Sequence, residues 1–412
     1  MSSDRLAAVD AQLLWLSAVV PNDQFLMYVF DGEPDVTAAL EQVRRNAQRC
    51  DELRLRVCED SRWRYPRWIS GQVRAEQFMV HENTGDWRAC LDSVAGLDRL
   101  DVTRMGWRVH VFPPAVVVVQ IPHALGDGTR SSALAAALLG RPGRPAPVTA
   151  RRGSLPLRAI SAVRAHRGMV REIESGALEP PSGPRPVLSV NARPAGPAVL
   201  RSLVVERSRL RHPTVTIAVL SAISEALGGY LAARGEDISR LGAEVPMAGT
   251  AESPGCNNFR NVGISLYPEH RRAERIRRIA VELAAARRRV EHPATRASDA
   301  AFAAVPAAVL RWGMRRFDPA KRSATVSGHT VVSSVNRGPA DLTFGGCPVV
   351  FPAGYPALSP MMSLTHGVHG IGEVLAVSVR ADSVTVDVED YFDRLAHALG
   401  SPPGSPTASR HK

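Results

Sequence analysis

The run Ala115-Val116-Val117-Val118-Val119-Gln120-Ile121 constrains the fold more than any other part of the chain. A stretch this apolar and β-branched reads as a strand buried on both faces, the kind found at the centre of a helix-covered sheet. Pro122-His123-Ala124-Leu125-Gly126-Asp127-Gly128-Thr129 follows directly, and then an alanine- and leucine-rich helix, Ser131 to Leu139, stopped at Gly140. Loops between a central strand and a buried helix are preferred places for a site. Strand and helix signals alternate on both sides, so the chain is α/β. Its 412 residues give room for two domains, each large enough to bury its own core.

The remaining pattern supplies an outline. Asp35 is positioned as the N-cap of a helix in which Val36, Leu40 and Val43 recur at helical spacing as far as Cys50. Leu53, Leu55 and Val57 alternate, as do Trp107, Val109 and Val111. Leu157 to Ile173 reads as a basic helix, set between the proline-rich stretches Gly140–Gly153 and Pro180–Pro197. In the second half the readings are a strand at Leu200–Val205, a helix at Val215–Leu231, a short strand ending before Pro246, a strand at Asn261–Tyr267, a helix at Arg271–Val290 and a strand at Thr325–Val335. Leu375–Val379 and Val384–Val388 read as a hairpin around Ala381-Asp382. The expected layout is residues 1–140 as one domain, 141–198 as a linker, 199–400 as a second domain and 401–412 as a disordered tail.

Composition excludes several classes. Apolar residues make up 45% and charged residues 22%, which rules out a disordered or collagen-like chain. No apolar run approaches the roughly 20 residues a membrane helix needs. Asp4 and Asp10 flank Arg5 where a signal peptide carries positive charge, and Gln12 interrupts the apolar stretch. The five cysteines are widely spaced with no C-x-x-C pair, so neither a disulfide framework nor a zinc site is expected, and a reducing cytoplasm fits. The balance of 51 basic to 40 acidic residues gives +11, which attracts polyanions. Lys321 and Lys412 are the only lysines; such a ratio reflects codon bias and lowers the information in any single arginine.

His123 carries the chemistry. Its ordinary pKa near 6.5 suits proton abstraction at neutral pH, and Gly126 and Gly128 leave room for a ligand beside the ring. The segment His123 to Gly128 resembles the H-H-x-x-x-D-G motif of the CoA-dependent acyltransferase superfamily. Three further segments narrow the resemblance to the bacterial wax ester synthase/diacylglycerol acyltransferase family. Asp10-Ala11-Gln12-Leu13-Leu14-Trp15 is similar to its D-A-x-F-L-W, Trp107-Arg108 stands at its P-L-W-R, and Ser333 to Pro339 resembles its S-N-V-P-G-P turn. The similarity spans about residues 5 to 398. There are departures: Pro122 replaces the first motif histidine, Thr216-Ile217 replaces an N-D pair, and Met105-Gly106 replaces Leu-Pro.

The resemblance implies two chloramphenicol-acetyltransferase-like sandwich domains, mixed sheets flanked by helices, with an active-site tunnel between them. It implies O-acyl transfer from acyl-CoA, a co-substrate, to diacylglycerol or a long-chain alcohol, with no tightly bound cofactor, no metal and no acyl-enzyme. His123 is then the general base and Asp127 an orienting residue; Gly128, Ser333 and Asn336 are candidates for contacting substrate or the oxyanion. The departures keep two alternatives open: acylation of a secondary-metabolite hydroxyl, or a degenerate lipid-binding member of the fold.

Other signals carry less. The eight arginines of Arg271–Val290 could meet CoA phosphates or lipid, but a solvated face explains them. Leu157–Ile173 could lie on a membrane or lipid-droplet surface. His366 and His369 lack a third metal ligand and read as strand-edge or core residues. Trp63, Tyr65 and Trp68 alternate with arginines; packed core is the better reading, and no nucleic-acid partner is expected.

Overall fold

The computed structural model describes residues 5–83, 85–142, 153–210, 213–249 and 255–400. The expected tail, 401–412, and most of the stretch 140–153 lie outside them. Two six-stranded mixed sheets dominate. The first runs Thr343–Phe344, Cys347–Gly354, Gln24–Phe30, Val116–Ile121, Arg108–Phe112, Phe78–Val80; the second runs Phe259–Ser265, Gly242–Ala248, Thr330–Asn336, Leu364–Ile371, Val374–Asp382, Ala198–Glu206.

The pleat of Val116–Ile121 explains its composition. Val117, Val119 and Ile121 face a core covered by the helices Val36–Arg49 and Gly128–Leu138. Val116 and Val118 face a second core that also takes in Leu200 and Ala376 of the other sheet. Both faces are therefore dry, as the β-branched run requires. The second sheet buries its far face under Val215–Ala232, Arg272–Glu291 and Val388–Ala398. Val215–Ala232 is long and apolar enough to cross a bilayer, but here it is a core helix.

The two halves are not sequential blocks. Cys347–Gly354 leaves the C-terminal half and pairs antiparallel with Gln24–Phe30 in the first sheet, with Leu26 opposite Gly354. The expected contiguous domain 199–400 therefore lends strands to its neighbour. The crossing is tight: a Cβ on Gly367 would sit 2.0 Å from the Gly354 carbonyl oxygen, so only glycine admits this approach. The expected linker 141–198 also carries structure, a helix at Leu155–Glu174 tied to Ala300 by Arg158 at 2.8 Å.

Other expectations shift. Asp35 caps its helix by accepting from the Ala38 amide at 3.0 Å, as read. The helix after the motif loop begins three residues early, at Gly128, because Asp127 supplies the cap. Pro246 lies within a strand. Thr325–Val335 is interrupted, with strands at Thr325–Val326 and Thr330–Asn336. The hairpin at Val384–Val388 does not form. Val374–Asp382 pairs instead with Leu364–Ile371 and Ala198–Glu206; Asp382 accepts from Thr385 to turn the chain, and Asp387 caps the last helix.

Candidate active site

A cavity of about 310 Å³ lies between the sheets. His123, Asp127, Gly128 and Ser132 reach it from the first half, and Val331, Ser333, Val335 and His369 from the second. His123 stands in a single 3-10 turn directly after the central strand.

The ring is held from a distance in sequence. His123 Nδ1 lies 2.9 Å from Asn257 Oδ1. Asn257 Nδ2 donates to Asp10 Oδ1 at 2.9 Å and to the His123 carbonyl at 2.8 Å. Both of those partners accept only, so the amide orientation is forced and Oδ1 must face the ring. His123 Nδ1 therefore carries the proton, and Nε2 presents a lone pair. Nε2 has no partner among the described residues. Asp10 also accepts from the backbone amides of Cys256 and Asn257 at 2.9 and 3.1 Å, fastening the loop before Phe259–Ser265. Burial pushes Asp10 up to about 6, with the bonds from Asn257 and Cys256 opposing it. Burial likewise pushes His123 below the ordinary histidine value, against the bond with Asn257 and the Asp127 charge.

Asp127 works structurally. Oδ1 accepts from the Thr129 and Arg130 amides at 3.1 and 3.0 Å, and Oδ2 accepts from the Asn258 amide at 3.0 Å. It caps the helix and binds the two halves together. A Cβ on Gly128 would lie 2.9 Å from Val335 Cγ2, so glycine lets the helix start reach the opposite strand. Ser333 lines the cavity. Asn336 is not among the lining residues; its Oδ1 accepts from the Gly338 amide at 3.0 Å, which ties the side chain to its own turn. Thr216, at the position of the missing N-D pair, donates to Ser334 at 3.2 Å.

His366 and His369 point to opposite faces, because three residues along a strand reverse the side. His366 is core, between Thr330 Oγ1 at 2.8 Å and the Tyr391 hydroxyl at 2.5 Å. His369 lines the cavity, which its reading as a strand-edge or core residue missed. Arg337, itself 2% exposed, donates to His369 Nδ1 through Nε at 3.2 Å and Nη2 at 3.0 Å. Nδ1 is thus an acceptor, and the neutral ring carries its proton on Nε2. Burial and the adjacent guanidinium hold His369 well below the ordinary value. Asp10, Asn257 and His369 are the residues sequence reading did not assign; Asp10 stood in a quoted motif, but nothing local announced its partners.

A second cavity of about 680 Å³ shares Asn22, Asn261, Val331 and Ala357 with the first and is lined by Leu13, Leu16, Val20, Met361 and Met362 among others. The arginine helix is partly structural: Arg275 turns inward to the Ser221 and His270 carbonyls. Trp63 is 80% exposed, which corrects its reading as core, whereas Tyr65 and Trp68 pack against Leu6 and Ala11.

Two mixed-sheet lobes sharing a cavity that a motif-loop histidine enters define the chloramphenicol-acetyltransferase-like fold. Residues 259–401 match the model of the WS/DGAT C-terminal domain. The fold is similar to the wax ester synthase/diacylglycerol acyltransferase from Marinobacter aquaeolei VT8, at 18% identity, 96% of this chain, 98% of that one and TM-score 0.61. It is also similar to a mutant starter condensation domain of rhizomide synthetase RzmA in complex with C8-CoA, at 16% identity, 97% and 93% coverage and TM-score 0.57. No curated protein matches by sequence.

Proposed function

We propose that the chain moves a fatty acyl group from acyl-CoA to a hydroxyl of a lipid acceptor, of the diacylglycerol or long-chain alcohol class. The observation that carries this reading is the Asp10–Asn257–His123 chain, which leaves Nε2 unprotonated in a cavity between the lobes. Nε2 takes the proton from the acceptor hydroxyl as its oxygen attacks the thioester carbonyl. The tetrahedral oxyanion forms directly, without an acyl-enzyme, and protonated His123 returns the proton as the CoA thiolate leaves. His369 Nε2–H, set by Arg337, donates to the oxyanion in place of Asn336. The adjoining cavity, lined on part of its surface by Leu13, Leu16, Val20, Met361 and Met362, provides room for an alkyl chain. The complex of the RzmA domain with C8-CoA supports an acyl-CoA donor on this fold.

The test is release of free CoA by the purified chain given palmitoyl-CoA with diacylglycerol or hexadecanol, alongside His123→Ala. Acceptor-dependent release that collapses in the variant supports the reading; no release with any hydroxyl compound defeats it.

The acceptor would be drawn from a membrane or droplet surface, with the protein peripheral on its cytoplasmic side. Leu155–Glu174 has no buried residue, and its Leu157, Ile160 and Val163 are 70%, 51% and 51% exposed beside several arginines. Co-sedimentation with anionic but not neutral vesicles is expected; equal partition would refute an electrostatic contact.

A further inference from the structure

One wall of the His123 cavity is incompletely satisfied. Asn22 Oδ1, Asp23 Oδ1 and Ser132 Oγ are buried atoms without a hydrogen-bond partner. All three residues line the cavity, and Asp23 and Ser132 are each only 5% exposed. Proteins leave few buried polar atoms unpaired, and three among the residues lining one cavity call for a polar ligand group.

The wall is built. Asp23 Oδ2 accepts from the Leu100 amide at 2.7 Å and from Gln120 Nε2 at 2.6 Å. The other Gln120 N–H goes to the Asp98 carbonyl at 2.8 Å, so its Oε1 must accept from His110 Nε2 at 3.0 Å. His110 Nδ1 in turn accepts from His81 Nε2, also at 3.0 Å. Every donor in this row points toward Asp23. His110 and Gln120 sit on adjacent strands, so the carboxyl is held in place with one oxygen left over.

The unpaired atoms specify the partner. The amide oxygen and the carboxylate oxygen only accept, and the serine hydroxyl can do both. The wall therefore wants an O–H or N–H donor. A fatty alcohol or a diacylglycerol brings a single hydroxyl, and that one is committed to His123. We infer that Asn22, Asp23 and Ser132 form a subsite for a second hydroxyl on the acyl acceptor, next to the one that is acylated. The inference rests on hydroxyl acyl transfer as proposed above, and it makes a vicinal diol or polyol the favoured acceptor class.

The experiment compares hexadecanol with 1,2-hexadecanediol as acceptors of palmitoyl-CoA, in the intact chain and in Ser132→Ala and Asp23→Asn. One hydrogen bond to a charged group amounts to about 10- to 100-fold, so the intact chain is expected to prefer the diol by that factor in kcat/KM. Both variants should bring the ratio toward one. Ser132 Oγ makes no bond, so Ser132→Ala has none to lose and should melt as the parent does. Equal use of the two acceptors overturns the inference. So does an unchanged ratio with a raised KM for palmitoyl-CoA, which would assign the wall to the amide N–H groups of the CoA arm. If neither acceptor is acylated, the transfer reading fails, and calorimetric binding then decides the subsite alone. Tighter diol binding that is lost in the variants sustains it; equal binding refutes it.

Discussion

His123 and His369 enter one cavity from different sheets, and each is held through Nδ1. The partners differ. Asn257 offers His123 an oxygen, so the proton stays on Nδ1 and Nε2 accepts. Arg337 offers His369 only donors, so the proton is driven to Nε2 and that nitrogen donates. Two neutral imidazoles thus acquire opposite capacities from the group behind the ring, one fitted to take a proton and the other to stabilise an oxyanion. The difference teaches that what each ring can do is set by the group behind it, which no local motif announces.

Four measurements test that contrast. The largest effect is expected from His123→Ala, a loss of roughly 10²–10⁴ in kcat; a loss smaller than that of His369→Ala would invert the roles. His369→Ala should cost about 10²–10³ in kcat with KM for acyl-CoA little changed. His369→Gln, whose amide still donates, should recover part of that loss. An equal loss in both variants with a lowered Tm would leave His369 a packing residue. Asn257→Ala frees the His123 ring to adopt either tautomer; losing one hydrogen bond is expected to lower kcat about tenfold, and an unchanged kcat would show that the tautomer is set elsewhere. The smallest effect is in pH. Burial favours the neutral His123 ring, which therefore gives up its proton at lower pH than ordinary, so kcat/KM should hold on acidification until below about 6.5. With Asp10 near 6 behind it, the acid limb reflects the pair. A limb centred above 7 would exclude His123 as the base.

Much of this was legible in the residues, for reasons that are local. The strand Val116–Ile121, its loop, His123 and the capping role of Asp127 are all encoded within about a dozen neighbours. The first core and the alternation of the second half were legible in the same way. What was not legible depends on separation. Asn257 meets His123 across 134 positions, and Asp10 meets Asn257 across 247; neither residue type is distinctive alone. Asn336 looked like an oxyanion donor because of its turn, yet that turn holds its Oδ1 and the residue does not line the cavity. Val384, Val386 and Val388 alternate like a strand, but Asp382 and Asp387 on either side supply a turn and a helix cap instead. Trp63 kept strand-like spacing but lies in the connection between the paired strands Leu55–Cys58 and Arg67–Ser70.

The exchange of Cys347–Gly354 into the first sheet bears on how the chain is made. On the ribosome, Gln24–Phe30 and Val116–Ile121 emerge early, but the strand that covers the open edge of Gln24–Phe30 is not translated until residue 354. At about 5–20 residues per second that edge waits for more than ten seconds with its backbone groups uncovered, an invitation to pair with another nascent chain. Splitting the gene at the apparent midpoint should therefore yield two fragments that precipitate apart and regain solubility only when synthesised together.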